Sequence, residues 1–108
     1  MDTPTLADVN IRGVAQRLIE KRLRRNSENL KQLQIELTLL DEQLAALSED
    51  ANDKEMRSLV SETPLALHEF RDAQKHVDAL QEQRSYLVLA IAEQKESQDE
   101  LLDKLGSN

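Results

Sequence analysis

The sequence predicts an all-α protein: a long antiparallel helical hairpin of the coiled-coil type, with a short helix at its tip, assembling into a four-helix bundle. Three features lead to this. Ala, Glu, Lys, Leu and Arg make up about half of the chain, the composition of long helices and coiled coils. Aromatic residues are 2 % and there are two glycines and two prolines, too few of the residues from which sheets and their turns are built. Leucines recur at alternating spacings of three and four, which keeps one helix face turned towards another helix.

The 108 residues are read as a single hairpin domain of two arms and a tip. Arm A covers residues 4–47. Thr3-Pro4 supplies a hydroxyl cap followed by proline at the first helical position, where its missing N–H does no harm. Leu23, Leu30, Leu37 and Leu44 recur every seven residues, with Leu33, Leu40 and Leu47 between them. Gly13 inside this arm costs about 1 kcal/mol relative to Ala. The tip covers 48–62: Ser48-Glu49-Asp50-Ala51-Asn52-Asp53 reads as a polar turn. Met56, Leu59 and Val60 then give a short amphipathic helix over about 54–61, folded back onto Leu39, Ala46 and Leu67. Arm C covers 64–105. It starts at Thr63-Pro64, where the proline pushes Thr63 out of helical angles, and stops before Gly106. Its seam runs Phe70, Val77, Arg84, Ile91, Gln98 and Leu105, interleaved with Ala66, Ala73, Leu80, Leu87, Gln94 and Leu101.

Antiparallel arms pair seam positions whose numbers add to a constant, and the heptads are read as allowing sums of 103, 110 or 117. A sum of 110 pairs Leu37 with Ala73, Leu33 with Val77 and Leu30 with Leu80, and it sets the polar seam residues together, Asn26 with Arg84 above all. The neighbouring sums place Arg84 against Ile19 or Leu33, and an unpaired buried polar group costs on the order of 1–3 kcal/mol. Asn26 and Arg84 are therefore expected side by side as a polar layer that fixes register.

Several function classes are excluded or disfavoured. With no cysteine there is no disulfide, thiolate metal site or cysteine nucleophile. The longest apolar run, Tyr86 to Ala92, is far short of the ~20 residues that cross a bilayer, and Met1 to Thr5 lacks the basic start of a secretory signal, so a cytoplasmic protein without membrane contact is expected. Gly13 and Gly106 form no phosphate-cradling loop. The carboxylates fall on helix exteriors, away from any apolar pocket that would raise a pKa for acid–base work, so no enzyme activity and no cofactor are expected. His68, Asp72 and His76 share one side of arm C, but the histidines are ~12 Å apart by helix rise, too far to share a metal ion.

What remains are surfaces. Ile11, Val14 and Leu18 on arm A, with Val88, Leu89 and Ala92 on arm C, make an apolar face that a two-helix seam cannot cover, and such patches mark interfaces; a homodimer is the expected result. Arg17, Lys21, Arg24 and Lys31 line the outer face of arm A, in a stretch (11–31) with seven bases and two acids. Residues 32–70 carry nine acids and two bases, with Glu49, Asp50, Asp53 and Glu55 at the tip. A helical hairpin with acidic tip residues resembles in outline the factors that insert through the RNA polymerase secondary channel, although none of their sequence motifs occurs and nothing stands for their polymerase-docking domain. The function expected is protein–protein interaction, as a scaffold, adaptor or regulatory subunit with an unidentified protein partner. The alternative is a nucleic-acid- or polymerase-associated regulator using the basic stripe or the acidic tip, against which the net charge of −7 weighs.

Overall fold

The computed structural model describes residues 6–106, with side chains from Ile11 onward. The cap expected at Thr3-Pro4 lies outside the described residues. Two helices pack as an antiparallel hairpin: α1, Leu6–Ser61 (56 residues), and α2, Pro64–Gly106 (43 residues). Among the described residues only Glu62 and Thr63 are not helical.

The first helix therefore does not end at residue 47, and the polar turn with a separate short helix at 54–61 is not formed. The physical reason lies in what α1 contains. No glycine or proline interrupts it between Gly13 and its end. A turn at 48–53 would create two further helix ends, each leaving four backbone groups without an intrahelical partner. The polar residues instead point outward, Asp50 taking Lys54 as an i,i+4 partner at 2.9 Å. Ala51 carries the seam through the stretch, with 2 % of its surface exposed, and Lys54 and Ser58 follow at the same three-and-four spacing, half-buried.

The reversal is tight. Glu62 takes a left-handed backbone conformation, φ 50°, and its N–H donates to the Ser58 carbonyl at 3.1 Å, closing α1 with an αL cap. Pro64 keeps Thr63 out of the helix. The Thr63 hydroxyl accepts from the Ala66 N–H at 3.2 Å, which caps the start of α2. A side chain at left-handed φ is strained by roughly 1–2 kcal/mol. Glu62→Gly is accordingly expected to raise stability by about 0.5–1 kcal/mol, read as a higher melting temperature; an unchanged or lower value would mean that Glu62 is held there by something other than the turn.

The backbone divides into two units, Leu33–Ala90 and Met1–Gln32 with Ile91–Asn108. In the first, Leu40, Ala51 and Val77 are buried, and Leu44, Leu47, Phe70, Ala73 and Leu80 are half-buried around them. Arg84 grips Asp41, Nε to Oδ1 at 2.6 Å and Nη2 to Oδ2 at 3.5 Å. A cavity of about 170 Å³ between Ser48, Ala51, Asn52, Gln74, Val77 and Gln81 sets the same stretches opposite one another. In the second unit Asn26, Ile91 and Leu101 are buried, with Leu23, Leu30 and Leu105 half-buried. Here Asn26 donates through Nδ2 to the backbone carbonyl of Gln94 at 3.0 Å and to its Oε1 at 2.8 Å.

These contacts correct the register. Asp41 and Arg84 have numbers adding to 125, and Asn26 and Gln94 to 120. They bracket 124, which belongs to the same heptad series as 110 and differs from it by two whole heptads. In the unit around the turn, 124 sets Leu47 opposite Val77, Leu44 opposite Leu80 and Ala51 opposite Ala73. The Asn26–Arg84 layer is not formed: each residue keeps a polar partner, but a different one. A reversal centred between Glu62 and Thr63 requires a sum near 125, and the sum of 110 followed from placing the reversal seven residues too early.

Candidate interaction surfaces

Every side chain named as a candidate contact lies outside the seam and is exposed. On α1, Ile11 is 66 % exposed, Val14 53 % and Leu18 48 %. Gly13 continues the helix between them and does not bend the first turns over this patch. On α2, Val88 and Leu89 are exposed large hydrophobics and Ala92 is exposed beside them. Sequence reasoning missed others. Met56, Leu59, Val60 and Leu65 stand exposed around the reversal, where a folded-back tip helix had been expected to cover its own apolar side. Ile35 and Leu39 are also exposed. Their spacing to Val14 and Leu18, whole turns along one face, was present in the sequence.

The basic stripe Arg17, Lys21, Arg24 and Lys31 is exposed along α1. Glu20–Arg24 at i,i+4 and Glu28–Lys31 at i,i+3, the pairs that a merely solvated face would offer, do not occur as ion pairs among the described residues. Glu49, Asp50, Asp53 and Glu55 do not form an acidic tip. They lie on α1, Glu55 seven residues and Glu49 thirteen residues before Glu62, so ~10 and ~20 Å from the reversal by helix rise. The reversal itself carries exposed Ser61, Glu62 and Thr63, with the exposed side chains of Met56, Leu59, Val60 and Leu65 around it.

Two polar features interrupt the seam. Asn26 is 6 % exposed, and while its amide N–H group is satisfied, its Oδ1 has no hydrogen-bond partner. Beside it a groove of about 320 Å³ is lined by Arg22, Arg25, Asn29, Gln94, Ser97 and Glu100 among others. The second feature is the Asp41–Arg84 pair. The hydrogen bond from Arg84 to Asp41, and then the carboxylate charge, push the guanidinium pKa up from its ordinary value. A guanidinium does not give up its proton in a protein, so Arg84 stays charged.

No protein-family model, curated protein or solved structure matches this chain. The surfaces themselves carry the functional argument. His68 and Asp72 form an exposed i,i+4 pair at 3.1 Å, and no group of three or more His, Cys, Asp or Glu side chains is placed to hold a metal ion among the described residues. No helix among them is long and apolar enough to cross a membrane.

Proposed function

We propose that this chain is a non-catalytic coiled-coil interaction module, a scaffold, adaptor or regulatory subunit that works as a homo-oligomer. The observation that carries this reading is the apolar surface left uncovered outside the seam, with Ile11, Val14, Leu18, Val88, Leu89 and Ala92 available to the contact.

Light scattering is expected to give twice the 12.3 kDa of the chain, and Leu18→Glu to reduce it to the monomer with unchanged helicity, because Leu18 is not a seam residue. A wild-type protein that stays monomeric at high concentration would overturn the reading. Retention of DNA that falls steeply with salt and weakens in Arg24→Ala would replace it with the nucleic-acid one.

A further inference from the structure

The outer face of α1 carries a second heptad stripe that the hairpin does not use. Starting at Val14 and ending at Val60, every third or fourth residue falls on it, and all fourteen of these positions are exposed. At 100° per residue the stripe lies on the side of α1 opposite the seam. Its chemistry changes along the helix. Val14 and Leu18 open it, and the bases Lys21 and Arg25 follow. Ile35 and Leu39 stand in the middle. The acids Glu49 and Asp53 come next, and Met56 and Val60 close it.

That order reads the same way when reversed with its charges exchanged, so the complementary surface is a second copy of the same helix. We propose that two copies associate through this face of α1, antiparallel, with facing positions adding to 74. The inference rests on the self-association proposed above and narrows its surface to α1, leaving Val88, Leu89 and Ala92 on α2 outside the contact. A sum of 74 sets Val14 against Val60 and Leu18 against Met56 of the second copy. It sets Lys21 against Asp53, Arg25 against Glu49, and Ile35 against Leu39. The two remaining pairs, Glu28 with Ala46 and Gln32 with Glu42, bring no like charges together. Each pair occurs twice, as a two-fold interface requires. The four ionic residues that face one another between copies make no ion pair within the described chain.

The neighbouring registers fail. A sum of 67 places Val14 on Asp53, Leu18 on Glu49 and Glu28 on Leu39. A sum of 81 places Lys21 on Val60 and Glu28 on Asp53. Apolar residues facing charges forgo burial, and like charges repel. The resulting assembly has the two α1 helices in contact and each α2 on the far side of its own α1, a layer of helices in place of a compact four-helix bundle.

Cysteine cross-linking tests the register, because the chain has no cysteine of its own. Val14→Cys and Val60→Cys, mixed and allowed to exchange, are expected to oxidise to a disulfide-linked dimer, whereas neither variant alone does so. Charge reversal tests the chemistry. Lys21→Glu with Arg25→Glu, and separately Glu49→Lys with Asp53→Lys, are each expected to weaken self-association at least about tenfold, and mixing the two proteins to restore it. Circular dichroism confirms that each variant still folds. Self-linking of Val14→Cys alone would show a parallel arrangement and overturn the proposal. A dimer that persists without either effect would place the contact on another face and overturn this inference while sparing the self-association. A chain that is monomeric throughout would overturn both.

Discussion

Leu40→Ala is expected to destabilise the hairpin by about 2–4 kcal/mol, the cost of a buried leucine truncation with the cavity it leaves. Leu40 is 4 % exposed on the seam of the unit formed by Leu33–Ala90, beside the Asp41–Arg84 pair at 2.6 Å. Among the described residues Leu40 is one of the few buried side chains of this two-helix interface, so its truncation removes a large part of the local apolar contact. Urea unfolding followed by circular dichroism measures the effect as a lower midpoint at similar slope. Leu59→Ala is the matched control. Leu59 is 68 % exposed, and its truncation is expected to change stability by less than about 0.5 kcal/mol. Equal losses at the two positions would mean that Leu40 does not face α2.

Asn26→Leu is expected to act in the opposite direction, raising stability by about 1–2 kcal/mol. The gain comes from removing a buried oxygen without a partner, for which roughly 1–3 kcal/mol is the usual cost, and from adding apolar area to the seam. It is partly offset by the lost bonds to Gln94, whose side chain is only half-buried and reaches water. A seam asparagine holds register at the expense of stability, so the gain is expected to come with looser pairing. A variant that melts lower than the parent would show that Asn26 Oδ1 is satisfied, by water or by a partner, in the working protein.

Much of the seam was legible in the chain. Leu23 to Leu47 and Phe70 to Leu105 follow heptad spacing, and the side chains at those positions are the buried and half-buried ones. Side-chain period and helix period are both local, so a face can be read without knowing what it touches. The end of α1 was not legible. Ser48, Asp50, Asn52 and Asp53 favour turns because their side chains compete for backbone hydrogen bonds. That preference is worth a few tenths of a kcal/mol per residue, less than the loss of cooperative helix and seam contact through Ala51. The candidate surfaces divide in the same way. Ile11, Val14 and Leu18 stood out by spacing alone. Met56 and Val60 read along the chain as one side of a short tip helix, which masks the second stripe of α1.

Helicity, the seam positions from Leu23 to Leu47 and from Phe70 to Leu105, and the helix start at Thr63-Pro64 are legible in the chain alone. Those properties depend on residues within a turn or two of one another. Which layer meets which follows from the packed helices. A heptad pattern repeats every seven residues, so pairings that differ by whole heptads look alike along the chain. One reversal at Glu62 and Thr63 removes that degeneracy, giving Asn26 to Gln94 and Arg84 to Asp41.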